Sequence, residues 1–285
     1  MEPHIKNFLA TREDHKYGPI EIGSEGTALF WMLDHADESN KSPAVMADNY
    51  LEMMAVSVNG TAKACYQTIF DILSDPLYIP ALRDEIEQAI AEDGTHQDQN
   101  GNPYMTKATY TKLHLLDSCV KETLRCNPSQ LISINRCLEN DHTFSDGLRL
   151  RRGTLTSFNM WGVTHSTETT TYSPGFNAAV GNPGPGVYEG FRFARLRTLP
   201  GQQNRYLAAT TSPEAPNFGH GPLACPGRFF GIEVIKTIII DLLLHYDIRL
   251  LPEAKGKRPR NKIVDQYIVP DSAAQVQVRK RVVSK

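Results

Sequence analysis

The sequence predicts a mainly helical protein with small β-sheet components. Two observations carry this. Four runs repeat apolar residues at helical spacing, in 44–73, 77–90, 113–124 and 232–242, whereas strand-like alternation is confined to 131–158 and two short segments near the C-terminus. With 285 residues, 40% of them hydrophobic and 22% charged, the chain has apolar material for one large or two ordinary globular domains. No internal repeat is visible.

Taken in order, Ser42-Pro43 reads as an N-cap followed by proline at the first helical position, opening a long helix over about 43–74. Asp75-Pro76 repeats the device and starts a second helix with Leu77, Leu82, Ile86 and Ile90 on one face, ended by Gly94 and the polar run "GTHQDQNGNP". A third helix, about 111–126, aligns Leu113, Leu116, Val120 and Leu124. The turn residues Ser145 to Gly147 and Arg152-Gly153 then suggest short strands and a hairpin. From Thr164 to Phe218 the chain is rich in Pro, Gly, Thr and Asn, and an irregular segment of that length carries function or wraps a cofactor. A last helix, about 227–246, holds Ile232, Ile235, Ile239 and Leu242; "DIRLLPE" and "AAQVQVRKR" read as closing strands.

Composition removes several function classes. A net charge of −2, with basic clusters only at Arg149 to Arg152 and Arg279 to Arg281, argues against a nucleic-acid partner. No apolar run reaches the length of a membrane span; the best, Ile238 to Leu244, is interrupted by Asp241. The opening "MEPHIKNFLATREDHKYG" has neither a basic nor an apolar signal region, so neither export nor a membrane anchor is expected of this chain. Five cysteines, Cys65, Cys119, Cys126, Cys137 and Cys225, are an odd number without CxxC spacing, which points to a reducing compartment rather than a disulfide scaffold or zinc ribbon.

The densest chemical signal is "FGHGPLACPGRFFGIEVIK", Phe218 to Lys236. Gly219, Gly221 and Gly227 permit backbone conformations closed to other residues and close approach to a flat partner. The helix that follows directs its N-terminal amides toward Cys225, and Arg228 adds positive charge; both favour a thiolate. A thiolate in a glycine-rich loop flanked by Phe218, Phe229 and Phe230 suits axial ligation of haem iron. A structural thiol, a redox or nucleophilic cysteine with His220 nearby, and a haem-sensing Cys-Pro motif are the competing readings.

"FGHGPLACPGRFF" resembles the haem-binding signature of cytochromes P450, with Phe218, Gly219, Gly221, Cys225, Gly227 and Arg228 at the motif positions. "KETLR" is similar to the family's Glu-x-x-Arg pair, as Glu122 and Arg125, and "EGFRF" resembles its third member, with Arg192. The phrases "DPLYIPALRDEI" and "EGFRF" look most like fungal monooxygenases of specialised metabolism, including those similar to ent-kaurene oxidase. The resemblance implies the C-terminal portion of the cytochrome P450 fold, with roughly the N-terminal two-fifths of the pattern missing. It also implies haem b held through the Cys225 thiolate, Arg136 toward a haem propionate, and a structural network of Glu122, Arg125 and Arg192. The partners it implies are a small lipophilic, terpenoid-like substrate, molecular oxygen and an NADPH-cytochrome P450 reductase-type donor. The location it implies is the cytoplasmic side of a membrane, the endoplasmic reticulum for most members.

Three departures qualify that expectation. Where the family has an acid followed by an alcohol on the long helix, this sequence reads Asn59-Gly60, with Thr61 one place later; Asn59 and Thr61 are the candidate catalytic residues, and Gly60 making room for haem or substrate is the alternative. Leu223 stands where a His or Arg often meets a propionate, and the stretch from His165 to Asn182 is longer than the pattern. A non-catalytic, truncated P450-like remnant with weak or no haem binding is therefore the second function carried forward.

Overall fold

The computed structural model describes residues 28–94 and 96–282, so the opening segment read above for export signals lies outside the described residues. The chain divides at Gly60 into two compact units. In the first, helix α1 (Ala28–His35) and the start of α2 (Pro43–Leu73) carry a small core of Leu33, Met46 and Ala47. Ser42 caps α2, its Oγ accepting the Val45 amide at 3.4 Å. Leu51, Met53, Met54, Val56 and Val58 of this helix are exposed.

The second unit is built on the rest of α2, α3 (Tyr78–Asp93), α4 (Lys107–Lys112), α5 (His114–Cys126) and α9 (Arg228–His245), with the short helices α6 (Met160–His165), α7 (Pro174–Ala178) and α8 (Arg192–Leu196) between them. Its core collects Ile72 from α2, Leu82 and Ile86 from α3, Leu116 and Val120 from α5, and Ile232, Ile235, Ile239 and Leu243 from α9. Apart from Ile72 and Leu243, the latter buried in place of the expected Leu242, these are positions that helical spacing marks as one face, and their burial is the main stabilising contribution of the unit. The C-terminal end of α9 is capped by distant side chains. Arg83 donates to the carbonyls of Leu243 at 2.8 Å and Tyr246 at 2.7 Å, and Arg281 to those of Leu243 and Leu244, satisfying the orphan acceptors at the end of α9.

Two helix boundaries differ from the sequence expectation. The helix expected over 111–126 is broken at Leu113 (φ −78, ψ 71) into α4 and α5, because Glu85 of α3 accepts the amides of Leu115 (2.6 Å) and Leu116 (3.0 Å) and so supplies the N-cap that the local sequence lacks. The second helix starts at Tyr78, not at Pro76: Asp75 accepts the Leu77 amide at 2.9 Å in a tight turn, which leaves Leu77 exposed and puts Tyr78 on the buried face. Gly94 (φ 83) ends that helix.

Among the described residues the strands form five two-stranded antiparallel pairs: β1 (His96–Gln97) with β2 (Pro103–Tyr104), β3 (Ile132–Cys137) with β6 (Leu155–Asn159), β4 (His142–Thr143) with β5 (Arg149–Leu150), β7 (Tyr246–Leu250) with β10 (Val276–Lys280), and β8 (Lys262–Val264) with β9 (Tyr267–Val269). Gly147 (φ 90) and Gly153 (φ 82) make the two turns expected between 131 and 158. No helix among the described residues is long and apolar enough to cross a membrane.

Gly60 sits inside α2 at an ordinary helical φ, and a Cβ added there meets nothing within 4 Å. Gly60→Ala should therefore stabilise the chain by about 0.5–1 kcal/mol, because alanine loses less backbone entropy in a helix. A melting temperature unchanged or lowered in that variant would show that the glycine keeps space for another group.

Candidate functional site

Helix α5 places Glu122 and Arg125 one turn apart on its buried face, and the chain returns at α8 to bring Arg192 against the same carboxylate. Arg125 donates to both Glu122 oxygens at 2.7 Å each; Arg192 Nε donates to Oε1 at 2.9 Å. All three side chains are sealed from solvent. The remaining guanidinium hydrogens hold the intervening loop by its carbonyls: Arg125 at Thr164, Pro185 and Val187, Arg192 at Pro183, Gly184 and Val187. Burial alone pushes the Glu122 carboxyl up, but the two guanidinium partners outweigh it and hold the group below the ordinary range. The network thus folds a proline- and glycine-rich segment that has little regular secondary structure of its own.

The cysteine loop lies between that segment and α9. Gly219 and Gly221 both take φ 73, and a Cβ at Gly219 would stand 3.3 Å from the Leu223 carbonyl oxygen, so two of the three glycines are required by the turn. Gly227 is not: its φ is −81 and it is the N-cap of α9, so the expectation that it too takes a special conformation is corrected. The Cys225 amide donates to the Phe218 carbonyl at 2.7 Å and closes the loop. Asn217 Nδ2 donates to the Leu124 carbonyl, tying the loop to the helix that carries Glu122 and Arg125.

Cys225 is exposed, with Leu223, Phe229 and Phe230 exposed around it, whereas Phe218 packs into the main core. Arg228, expected to add positive charge near the cysteine, donates to the Cys225 carbonyl at 2.7 Å and stacks on Phe229. An exposed thiol set among uncovered apolar side chains, at the start of a helix, is a donor set that fits a flat, apolar metal cofactor.

Arg136 follows a register shift in the β3–β6 pair, between Ser133 and Arg136, where Ile134 takes φ 54. A β-branched residue in the left-handed region is strained, and a bulge there re-aims the exposed arginine that follows. Thr61 lies against α9: a Cβ built on Gly231 would be 3.5 Å from its Oγ1. A planar ring between two groups holds them about 7 Å apart, so none lies between these two. Asn59 Nδ2 is engaged within its own helix, donating to the Ala55 carbonyl at 3.0 Å.

Several contributors were not read from the sequence. Asn177 accepts from Arg192 at 3.1 Å and donates to the Thr171 and Ser173 carbonyls, and Glu189 gives its amide to Glu122 at 3.0 Å. Asn177 stands in the stretch from His165 to Asn182 that exceeds the family pattern; here that stretch is folded, with Tyr172 and Asn177 buried. Asp117, Lys121 and Lys236 form a further buried polar row, the i, i+4 spacing of Asp117 and Lys121 being its one visible signal.

A family model described as "Cytochrome P450" matches residues 24–169, just over half of the chain. Curated relatives match along more of it. Cytochrome P450 monooxygenase 3 of Gibberella fujikuroi is 32% identical over 99% of this chain and 53% of its own length. Cytochrome P450 monooxygenase ascG of Acremonium egyptiacum is 36% identical over 90% and 49%. Ent-kaurene oxidase of Gibberella intermedia is 32% identical over 89% and 44%. The chain thus spans about half the length of the curated relatives it matches. A cytochrome P450 crystal structure superposes with a TM-score of 0.67 over 98% of this chain and 55% of its own, at 16% identity, and a zebra fish cytochrome P450 structure with abiraterone with 0.65, over 98% and 59%, at 17%. At that identity the two structures speak to the fold.

Proposed function

The chain belongs to the cytochrome P450 family, and on that premise we propose that it carries the haem-thiolate half of a monooxygenase that oxidises a small lipophilic metabolite. The observation that supports this reading best is the Cys225 loop: an exposed thiol in a turn that two left-handed glycines allow, tied by Asn217 to the helix of the Glu122 network. Haem b bound there would supply the activation of molecular oxygen, its iron made electron-rich by the thiolate.

The chain's own residues have narrower tasks. Cys225 supplies the sulfur ligand, Gly219 and Gly221 shape the loop, and Arg228 fixes the cysteine's carbonyl. Arg136 offers a guanidinium for a propionate. Leu223 offers no charge, so anchoring by charge falls more heavily on Arg136. Glu122, Arg125 and Arg192 are positioning residues that hold the segment leading into the loop. A fungal specialised-metabolism substrate of terpenoid type, and a reductase that passes electrons from NADPH, follow the relatives' names and the family's habit.

Asn59 and Thr61 are the candidates to move protons; the Asn59 amide is engaged on the Ala55 carbonyl, and the Thr61 hydroxyl stands against Gly231. That arrangement favours waste of reduced oxygen as hydrogen peroxide, and it supports the second reading, a P450-like chain with little or no turnover. The 285-residue chain, supplied with haem, a competent reductase and candidate terpenoids, should consume reducing equivalents with little hydroxylated product. Product formed in step with electrons consumed would contradict this view of the proton path; no haem uptake and no electron consumption would favour the non-catalytic reading.

A further inference from the structure

The last turn of α5 leaves the Leu124 carbonyl without a helical partner. The Asn127 amide takes the Thr123 carbonyl at 2.7 Å, and the next amide in that series, on Leu124, would be that of residue 128. Residue 128 is proline, which has no N–H to give. The donor comes instead from 93 residues along the chain, where Asn217 Nδ2 bonds the Leu124 carbonyl. Pro128 removes the local donor and Asn217 supplies a distant one, in the same turn of helix that carries Glu122 and Arg125.

Asn217 directly precedes Phe218, whose carbonyl accepts the Cys225 amide at 2.7 Å. The helix of the Glu122 network and the residue that bears the sulfur are thus joined by two hydrogen bonds and one intervening peptide link.

The loop has few other moorings. The bonds from Gly219 to Pro216, from Ala224 to Gly221 and from Cys225 to Phe218 lie within it, and Arg228 returns to the Cys225 carbonyl. Leu223, Phe229 and Phe230 are exposed, whereas Phe218 packs against the core. Among the described residues, the further side-chain hydrogen bond from the loop joins His220 Nδ1 to Thr211 Oγ1 at 3.1 Å, and it reaches the irregular segment rather than a helix of the core. Apolar burial is non-directional, so Phe218 anchors the loop without fixing its rotation; a hydrogen bond prefers a nearly straight N–H···O and does fix it. A metal ligand depends on such support, because the groups that orient it decide how well it binds.

We propose that Asn217 is a positioning residue for the Cys225 ligand: its bond to the Leu124 carbonyl passes the rigidity of the Glu122 network to the cysteine loop and keeps the sulfur on the iron. The inference rests on the haem-thiolate reading of Cys225.

The haem-reconstituted chain, reduced and treated with carbon monoxide, tests this by absorption. Asn217→Leu should keep its haem content, measured after extraction, while the share of that haem with the red-shifted Soret band falls at least about twofold. The remaining shifted band should be lost about tenfold faster on standing, the rate equivalent of one lost hydrogen bond. Thr211→Val, which frees His220, should match the wild type in both. If Asn217→Leu lacks the native circular dichroism spectrum, Asn217→Asp, which keeps the shape and forfeits the donor, decides. A merely stabilising residue would lower the melting temperature and the total haem together and leave the share of shifted band unchanged; that result, or an equal loss in Thr211→Val, would overturn the inference. A wild type without the shifted band would remove the haem-thiolate reading itself, and this inference with it.

Discussion

Replacing Glu122 by alanine is expected to cost about 3–5 kcal/mol, because it leaves the buried guanidinium groups of Arg125 and Arg192 without their carboxylate. The margin of a whole domain is roughly 5–15 kcal/mol, so insoluble or unfolded protein is the expected product of expression. Glu122→Gln should fare little better, since it keeps the shape and forfeits the charge. The same network sets an acid limit. A carboxyl held below its unfolded value contributes stability that is complete above the unfolded value of 4.5 and is lost as pH falls through the lower native value. Denaturant melts should therefore show midpoints falling below about pH 4.5 in the wild type. A folded Glu122→Ala protein with native stability would remove the structural role assigned to the network.

The second large effect is expected at Asp117. Its carboxylate pairs with Lys236 of α9 across the core and accepts the Ala208 amide at 2.8 Å, while its charge also supports Lys121 one turn on. Asp117→Ala would strand one buried ammonium and one buried N–H and weaken the support of a second ammonium, again about 3–5 kcal/mol. Asp117→Asn keeps an acceptor for Ala208 and should lose less. The double variant Asp117→Ala with Lys236→Met should recover part of the loss, since no uncompensated charge remains at Lys236. Equal stability of the single and double variants would show that the Asp117–Lys236 pair does not couple α5 to α9.

The framework of the fold was legible where chain chemistry is local. Ser42-Pro43, Gly94 and Gly153 mark their boundaries because capping and left-handed turns depend on the residue itself. The break at Leu113 was not legible, since its cap comes from Glu85 on another helix. The β8–β9 hairpin was missed for a related reason: its two-residue turn uses Asp265 at φ 54, without the glycine that usually signals such a turn.

At the site, the motif spacing located Glu122, Arg125, Arg192 and Cys225, but their surroundings depend on tertiary contacts. Nothing local says that Arg228 grips a carbonyl, that Gly227 has an ordinary φ, or that Thr61 meets Gly231. Lys121, Asp117 and Lys236 were passed over because charged residues on a buried helix face run against the apolar pattern that identifies such faces.

Binding of haem iron by the Cys225 sulfur is tested most directly by the absorption spectrum of the reduced, carbon monoxide-treated protein. Haem-reconstituted wild-type chain should show the red-shifted Soret band of thiolate ligation, and Cys225→Ala should lose it while Cys137→Ala, the other exposed cysteine, retains it. An unshifted band in the wild type, or a shifted band that survives in Cys225→Ala, would contradict the account.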